Sequence, residues 1–326
     1  MNQEQKLYNQ ALEVIGILNA KKILLGIFPI EEKKISNVFV YGAEGYVMNK
    51  KKKKQKVIGY GVSTQSKAMA LIKSLGELNE RLSRRQYGLH DPEAIGSGMA
   101  AGFDLKQVVL NGLYELIERD AFMTGYINNI APFHLRVGKE ISQRFEIIKK
   151  ELIKLGYTVD VFNIVNDITI PAVVVCIRKK RFLAVGLKAN LKWSKAIEGA
   201  FEEALLDLIL SNQNINFIKR NKNARKNPLI TQEGFNKLYF SKSTIKKLFP
   251  KEIQKKNESA TLKKILESKR IIYRYKDLTP GYFKKTNYVV GKIITNDLQP
   301  LFFSKENEQI NKKRIEGAVN FFKKLL

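Results

Sequence analysis

Two segments of this chain repeat one pattern of acidic and basic residues, and that repeat constrains the fold more than any other feature. Residues 65–85 and 104–122 each contain Glu-x-x-Glu-Arg within a run of helical periodicity. The pattern falls on Glu77, Glu80 and Arg81 in the first segment and on Glu115, Glu118 and Arg119 in the second. Apolar residues cover several faces of both segments, which predicts two largely buried helices.

The second segment follows a glycine-rich turn over 96–102, and Asp104 is its predicted N-cap. Its polar residues recur at spacings of 3, 4, 4 and 3, which places them in one stripe roughly 80° wide. The stripe consists of Asp104, Gln107, Asn111, Glu115 and Glu118. On a buried helix such a stripe must face a partner, a metal or a wet cleft, because unpaired buried carboxylates are costly.

Four carboxylates on two helices can hold hard cations such as Mg²⁺, which prefers oxygen ligands and usually brings phosphate with it. The adjoining arginines suit phosphate oxygens, because a guanidinium fork matches their geometry. The alternative is that the helices are simply amphipathic and that their glutamates and arginines make surface ion pairs. The pattern alone leaves both interpretations open.

The net charge of +27 suggests a polyanion partner, but its distribution argues against one. The excess is mostly lysine spread along the whole chain, which argues against nucleic acid as the partner. The densest run, Lys50–Lys54, is expected to form a solvated tip between two strands. A polyphosphate-, peptide- or RNA-binding role based on charge is the weakest of the functional alternatives.

The 326 residues and 44% hydrophobic content predict a sizeable core. The single cysteine, Cys176, excludes a disulfide framework and is expected in a buried strand. The two histidines, His90 and His134, lack metal-ligand spacing and a partner for catalysis. No apolar run is long enough to span a membrane, and the N-terminus does not resemble a signal peptide, so we expect a cytoplasmic protein without membrane association.

Helical and strand patterns alternate along the chain and predict a mixed α/β fold. We expect one domain over 1–326 without a clear linker or tandem repeat. An N-terminal helix and strands cover 1–62, and the core with both Glu-x-x-Glu-Arg helices covers 63–210. A variable lysine-rich region follows over 211–265, and C-terminal strands and a helix complete the chain over 266–326.

The chain resembles the YcaO family of ATP-dependent enzymes that activate peptide backbone amides. Four blocks carry the resemblance, and the second is the most specific of them. The blocks are GYGVSTQSKAMALIKSLGELNERLS, GSGMAAGFDLKQVVLNGLYELIERDA, ITIPAVVVCI through LKANLKWSKAIEGAFEEAL, and KDLTPGYFKKTNYVVGKIITNDLQP. The resemblance covers most of the chain and implies sheets flanked by helices around an ATP and Mg²⁺ cleft.

The resemblance also implies residue roles. Glu77, Glu80, Glu115 and Glu118 match the family's Mg²⁺-binding glutamates, while Arg81 and Arg119 match its phosphate-facing arginines. The implied substrate is a ribosomally made precursor peptide. A peptide side chain adds to the preceding amide carbonyl, the oxyanion attacks the γ-phosphate of ATP, and phosphate leaves as an azoline ring forms. Related members make thioamides or amidines.

Several positions depart from the family pattern. Lys73 replaces a serine, Gln107 a glutamate, Asn111 a glutamine and Phe103 an asparagine. Lys73 either places its ammonium where a metal ion would bind or reaches a nucleotide phosphate with it, and these alternatives stay open. The link from Arg81 to Ser97 is shorter than in typical members of the family. The sequence ends with the residues NFFKKLL and not with the proline-rich segment of many azoline-forming members.

These departures leave two main functions in competition. One is an ATP- and Mg²⁺-dependent peptide cyclodehydratase or a relative, in which Lys73, Gln107 and Asn111 also contact the nucleotide. The other is a degenerate scaffold or peptide-binding subunit without ATP turnover. For an azoline enzyme the resemblance implies an E1-like or leader-peptide-binding partner protein, and it also suggests a homodimer, since dimers are common in the family.

Overall fold

The computed structural model describes residues 2–31, 34–48, 54–87, 97–128, 130, 132–138, 141–164, 166–180, 182–213, 261–299 and 311–325. Helices and strands alternate along these ranges, which confirms the mixed α/β fold. The chain groups into two compact units. The first comprises Met1–Leu113 and Arg274–Ile294, and the second comprises Tyr114–Tyr273 and Thr295–Leu326. The single domain stays a prediction.

The first unit begins with a helix, a three-stranded meander and a second helix. These elements are α1 (Gln3–Ala20), β1 (Leu24–Pro29), β2 (Phe39–Met48), β3 (Lys54–Ser63) and α2 (Lys67–Gln86). The strands pair antiparallel in the order β1-β2-β3. Asn2 caps α1 and Ser66 caps α2 through side-chain oxygens that accept from the first turn. Helix α2 confirms the predicted helix over 65–85, and α1 and β1 to β3 confirm the helix and strands expected within 1–62.

Helix α2 lies against β3 at a distance that only glycine allows. A Cβ added at Gly61 would lie 2.1 Å from Ala70 O and 2.3 Å from Ser74 N. One added at Gly59 would lie 2.2 Å from Leu78 N. The leucines of α2 are buried beside α1 in one apolar cluster, so the close approach positions the polar face of α2 accurately.

A second sheet of the first unit has the order β4-β10-β9 and is antiparallel. Its strands are β4 (Met99–Gly102), β9 (Arg274–Asp277) and β10 (Val289–Ile294), and a 3-10 turn covers Gly281–Phe283. The prediction of a glycine-rich turn over 96–102 is therefore wrong for Met99–Gly102, which form a strand. Gly98 does turn, with φ of 73°, but pairing with β10 overrides the weak strand propensity of Met99–Gly102.

The second unit contains a four-stranded antiparallel sheet in the order β5-β6-β7-β8. Its elements after α3 (Leu105–Ile127) are β5 (Phe133–His134), α4 (Gln143–Lys154), β6 (Thr158–Asn163), β7 (Ala172–Lys179), β8 (Phe182–Ala189), α5 (Trp193–Gln213), α6 (Leu262–Ser268) and α7 (Lys312–Leu325). The first six residues of β7 are buried, which confirms an interior strand containing Cys176. Gly156, with φ of 81°, directly follows the C-cap residue of α4, where a left-handed conformation favours glycine.

Helix α5 lies against β8 through another close glycine contact. A Cβ at Gly186 would lie 2.0 Å from Ala200 O and 2.4 Å from Ala204 N. On a different side of α5, Phe201 contacts Phe145 of α4, with ring centroids 4.5 Å apart. The sheet and its two helices thus share a buried core.

A buried ion-pair network fixes the C-terminal helix within the second unit. Both oxygens of Asp120, a fully buried residue of α3, accept from Arg314 of α7 at 2.5 and 2.7 Å. Asp167 accepts from the same guanidinium at 2.5 and 2.7 Å. Asp120 Oδ1 also accepts from Gln299 N at 2.7 Å. Asp120 directly follows the second Glu-x-x-Glu-Arg pattern, so this network anchors that part of α3.

Some predictions concern residues outside the described ranges. These are residues 50–53 of the lysine tip predicted at Lys50–Lys54, residues 88–96 of the link from Arg81 to Ser97, which include His90, and residues 214–260 of the lysine-rich region. Lys54 is described and is the first residue of β3, not part of a tip. Among the residues that are described, no helix combines the length and apolar character needed to cross a membrane.

Candidate functional site

The first Glu-x-x-Glu-Arg pattern is fastened to the neighbouring strand. Glu77 Oε2 accepts a hydrogen bond from Tyr60 N at 2.5 Å, and Glu77 Oε1 pairs with Arg81. Arg81 Nη1 donates to Ile58 O at 2.8 Å. The two side chains therefore join α2 to the backbone of β3. The Arg81 side chain keeps 46% of its surface exposed and remains accessible to an anion.

Glu80 lies near an aromatic group in the first unit. Burial raises the pKa of Tyr288, and the negative charge of Glu80 raises it further. Asn79 Nδ2 donates to Tyr288 Oη at 3.4 Å. Phe103, which departs from the family pattern, meets the Tyr288 ring edge-on with centroids 5.0 Å apart. In this chain Phe103 thus packs against the tyrosine whose hydroxyl is influenced by the charge of Glu80.

Lys73 extends along the same strand. Its Nζ donates to Val62 O at 3.1 Å, near the end of β3. This contact holds the ammonium one helical turn before Glu77 on α2. Both interpretations of Lys73, as a substitute for a metal ion and as a phosphate ligand, stay predictions.

The predicted polar stripe on α3 runs from solvent into the interior. Asp104 caps the helix by accepting from Lys106 N at 2.9 Å. Gln107 and Asn111 are exposed, and Gln107 Nε2 donates to Asn111 Oδ1 at 2.7 Å. Glu118, at the other end of the stripe, is only 8% exposed. The stripe therefore leads from an exposed amide pair to a buried carboxylate.

The second Glu-x-x-Glu-Arg pattern repeats the ion pair of the first. Glu115 Oε1 accepts from Arg119 Nη2 at 2.6 Å, four residues apart on α3. Their side chains are 22% and 21% exposed, so this pair is better shielded from solvent than Glu77–Arg81. In both helices the arginine neutralises the glutamate one turn earlier.

Glu118 is the least satisfied acid among the predicted site residues. Its Oε2 is buried and has no hydrogen-bond partner in the described part of the chain. Burial raises the pKa of Glu118 well above its usual value, and the charge of Glu203 raises it further. Lys188 and Arg119 act in the opposite direction.

Glu203 and Lys188 also belong to this group, although no sequence pattern predicted it. Lys188 Nζ donates to Glu203 Oε1 at 3.1 Å, between β8 and α5 of the second unit. Both residues lie within a block that carries the family resemblance, but their spacing of 15 positions gives no periodic signal. Only the register of β8 against α5 brings them together.

The donor types suit Mg²⁺, because carboxylate oxygens predominate and Glu118 has an unpartnered oxygen. Within the described ranges, however, no three His, Cys, Asp or Glu side chains already converge closely enough to hold a metal ion. Glu77 and Glu115 are each paired with an arginine. Each of these two glutamates would have to leave its arginine to bind a cation, so the role of the four glutamates as Mg²⁺ ligands stays a prediction.

His134 has a neighbour that the sequence did not indicate. Its Nε2 lies 3.5 Å from Asp160 Oδ1, on the adjacent strand. Asp160 is held by Arg178, whose Nη2 donates to it at 2.6 Å. The expectation that His134 has no partner is wrong, although this group contains none of the predicted site residues.

Comparison with solved structures identifies the same fold in two proteins. YcaO from Methanopyrus kandleri, bound with AMPPCP and Mg²⁺, matches with a TM-score of 0.67 and 14% identity over 94% of this chain and 95% of that one. A heterocyclase in complex with substrate and cofactor matches with a TM-score of 0.66 and 13% identity over 93% of this chain. The match spans 54% of the heterocyclase, about half its length.

The family comparison covers more than half of the sequence. Residues 83–280 match the model of the YcaO cyclodehydratases, which are described as ATP- and Mg²⁺-binding. A comparison with curated protein sequences finds no significant match. The chain belongs to the YcaO family, whose cofactors are ATP and Mg²⁺.

Proposed function

We propose that this protein uses ATP and Mg²⁺ to activate backbone amides in a ribosomally made peptide, as in azoline-forming cyclodehydration or the related formation of thioamides or amidines. The observation that carries the proposal is the buried, unpartnered oxygen of Glu118 beside the Glu115–Arg119 pair, in a chain of the YcaO family. Keeping a carboxylate buried without a partner is costly unless a cation binds there.

The proposal gives the predicted site residues distinct tasks. Glu77, Glu80, Glu115 and Glu118 bind Mg²⁺, and Arg81 and Arg119 bind phosphate oxygens. Each arginine now neutralises a glutamate, at Glu77 and at Glu115. With nucleotide and metal bound, Glu77 and Glu115 would hold the cation and Arg81 and Arg119 the phosphate oxygens, so every charge would keep an opposite partner.

The remaining polar residues contribute to nucleotide binding in this proposal. The exposed Gln107–Asn111 amide pair offers donors and acceptors to the nucleotide, and Lys73 reaches a phosphate after leaving Val62 O. When bound, ATP supplies the phosphoryl group that turns the amide oxygen into a leaving group. The side chains hold the phosphates and keep the reacting peptide carbonyl oriented toward them.

A second candidate function has its own support. Glu77 and Arg81 both bond to the backbone of β3, as residues with a structural role do. A scaffold or peptide-binding subunit without ATP turnover would retain those contacts. In either case we propose a precursor peptide as ligand and an E1-like or leader-peptide-binding protein as partner. Homodimer formation is a further proposal.

The test is incubation of the protein with a precursor peptide rich in Cys, Ser and Thr, ATP and Mg²⁺, with and without an E1-like partner protein. Azoline formation removes one water per ring from the peptide, which mass spectrometry detects, and releases phosphate. Glu118→Gln should abolish both products. Peptide binding without phosphate release under all conditions would instead favour the scaffold.

A further inference from the structure

Arg314 of α7 is nearly buried and binds two aspartates of the second unit at once. Its side chain is 9% exposed. Its Nε and Nη2 donate to the two oxygens of Asp120, and its Nη1 and Nη2 donate to the two oxygens of Asp167. Each aspartate therefore makes a planar two-point contact, which fixes the orientation of a carboxylate more closely than a single point charge does.

Asp120 lies on the side of α3 opposite the polar stripe. At roughly 100° per residue, Asp120 is about 160° around the helix axis from Glu118 and about 140° from Glu115. Asp120 is completely buried, and its Oδ1 accepts from Gln299 N at 2.7 Å in addition to its bonds with Arg314. The helix that carries Glu115 and Glu118 on one side is thus fastened on its other side, which limits its rotation.

The first turn of α7 is fixed beside the same aspartate. Asn311 Oδ1 accepts from Arg314 N at 3.1 Å, as the side chain of an N-cap residue does. Asn311 N donates to Gln299 Oε1 at 2.8 Å. Gln299 therefore bonds to Asp120 through its backbone and to Asn311 through its side chain. The rotation of α3 and the docking of α7 depend on one connected set of hydrogen bonds.

We propose that Arg314 is a positioning residue for the proposed cation site, because its two-point contact with Asp120 fixes the rotation of α3 and thereby the direction of Glu115 and Glu118. The inference rests on the proposed function in taking these two glutamates as cation ligands. It adds that the C-terminal helix α7 influences the site through α3. By thermodynamic linkage, a ligand that needs the glutamates in this direction favours docking of α7 by the same factor.

The test compares Arg314→Lys with the matched control Arg178→Lys. Both substitutions keep the positive charge and remove a guanidinium fork, but Arg178 binds Asp160 between β6 and β7, at 2.6 and 3.1 Å. In calorimetric titration with AMPPCP and Mg²⁺, Arg314→Lys should bind roughly tenfold more weakly than wild type, and Arg178→Lys within about twofold of it. Hydrogen exchange measured by mass spectrometry should show that the ligand protects α7 amides in wild type and in Arg178→Lys but not in Arg314→Lys.

A milder variant, Asp167→Asn, guards against misfolding of Arg314→Lys, since it leaves the contact between Arg314 and Asp120 in place. It should weaken AMPPCP binding about threefold, and circular dichroism checks the folding of every variant. Weaker binding and reduced protection of α7 in these two variants, but not in Arg178→Lys, support the proposal.

Two results would overturn the positioning role and leave the proposed function intact. One is binding like that of wild type in every variant at Arg314 or Asp167 that folds. The other is equal weakening in Arg178→Lys, which would show that any loss of a buried ion pair has the same effect. If wild type itself binds no AMPPCP in the presence of Mg²⁺, the proposed function fails, and the positioning role fails with it.

Discussion

The β3–α2 region of the first unit and the β8–α5 region of the second repeat one arrangement. In each unit a helix, three antiparallel strands and a second helix follow in that order. The last strand carries a glycine against the second helix. A Cβ would lie 2.1 Å from Ala70 O at Gly61, and 2.0 Å from Ala200 O at Gly186. The helix and strand backbones thus approach equally closely in both.

The repeat extends to an acid that fastens each helix to its strand. Tyr60 N donates to Glu77 at 2.5 Å in the first region, and Val185 N donates to Asp207 at 3.0 Å in the second. Tyr60 directly precedes Gly61, and Val185 directly precedes Gly186. Equivalent positions therefore use a carboxylate for the same structural purpose.

The charges around this common framework differ. Arg81 pairs with Glu77, whereas Ser211 donates to Asp207 at 3.4 Å from the equivalent position. Lys73 contacts Val62 O, whereas Glu203 accepts from Leu187 N. The close helix–strand contact is thus a structural solution used twice. The two regions differ in the charged side chains beside this contact, and the proposed function concerns those of the β3–α2 region.

The largest expected effect tests the shared glycine contact. Gly61→Ala and Gly186→Ala should each lower the free energy of unfolding by about 3 kcal/mol, because a Cβ would meet backbone atoms that cannot yield. Urea unfolding measures both. Gly16→Ala is the control, since nothing lies within 4 Å of its added Cβ and the helix should gain stability. A decrease in the free energy of unfolding of less than about 1 kcal/mol in either variant would contradict the claim that the two glycine contacts are equivalent.

The second prediction concerns Glu77 and Asp207, which accept hydrogen bonds from strand N–H groups. It separates their structural role from a role in nucleotide binding. Glu77→Ala and Asp207→Ala should each lower the free energy of unfolding by about 1 kcal/mol, because each removes the acceptor of a strand N–H. Only Glu77→Ala should also weaken binding of ATP with Mg²⁺. Calorimetric titration alongside urea unfolding distinguishes these effects. Equal loss of nucleotide binding in both variants would show that the two acids do not differ in function.

The third prediction contrasts Glu77, whose two carboxylate oxygens both accept hydrogen bonds, with Glu118, which has a buried oxygen without a hydrogen-bond partner in the described part of the chain. Glu118→Gln should raise the free energy of unfolding at pH 8 by about 1 kcal/mol, the opposite sign to Glu77→Ala, because the buried acid must either carry a charge away from water or take up a proton at that pH, and glutamine does neither. Thermal unfolding across pH measures the gain.

The sign of the pH dependence follows from the raised pKa of Glu118. Between the usual value near 4.5 and the raised value, the folded state holds a proton that the unfolded state has released. Wild-type stability therefore falls as pH rises through that window, and this contribution disappears in Glu118→Gln. Below pH 4.5 the carboxyl is protonated in both states, so the stability advantage of the variant should vanish. An undiminished advantage there would contradict the assignment.

The smallest stability effect is expected at Lys73, where the side chain is exposed. Lys73→Ser should change the free energy of unfolding by less than about 0.5 kcal/mol. It should weaken nucleotide binding roughly tenfold if the ammonium reaches a phosphate. Tighter binding would instead show that Lys73 obstructs the cation position, which would favour the scaffold function. Nucleotide titration of both proteins decides between them.

The sequence predicted those features that depend on local pattern. The two Glu-x-x-Glu-Arg helices, the cap at Asp104 and the buried strand around Cys176 all follow from periodicity and capping. The strand at Met99–Gly102 was not predictable, because small residues carry weak strand propensity and pairing with a distant strand supplies its stability.

Features that join distant positions also escaped prediction. Lys188 meets Glu203, and Arg314 meets Asp120, only after strand register and helix packing are fixed. The spacing of 194 positions in the second pair carries no periodic signal. The close approach at Gly186 escaped for the same reason, since the sequence does not say which backbone a glycine will meet.

Calorimetric titration of wild-type protein with a non-hydrolysable ATP analogue and Mg²⁺ tests the central claim most directly. The comparison is with Glu80→Gln and Glu115→Gln, one acid from each Glu-x-x-Glu-Arg helix. We predict saturable, Mg²⁺-dependent binding to wild type that weakens at least roughly tenfold in both variants. No saturable binding to wild type, or binding that neither variant changes, would contradict the account.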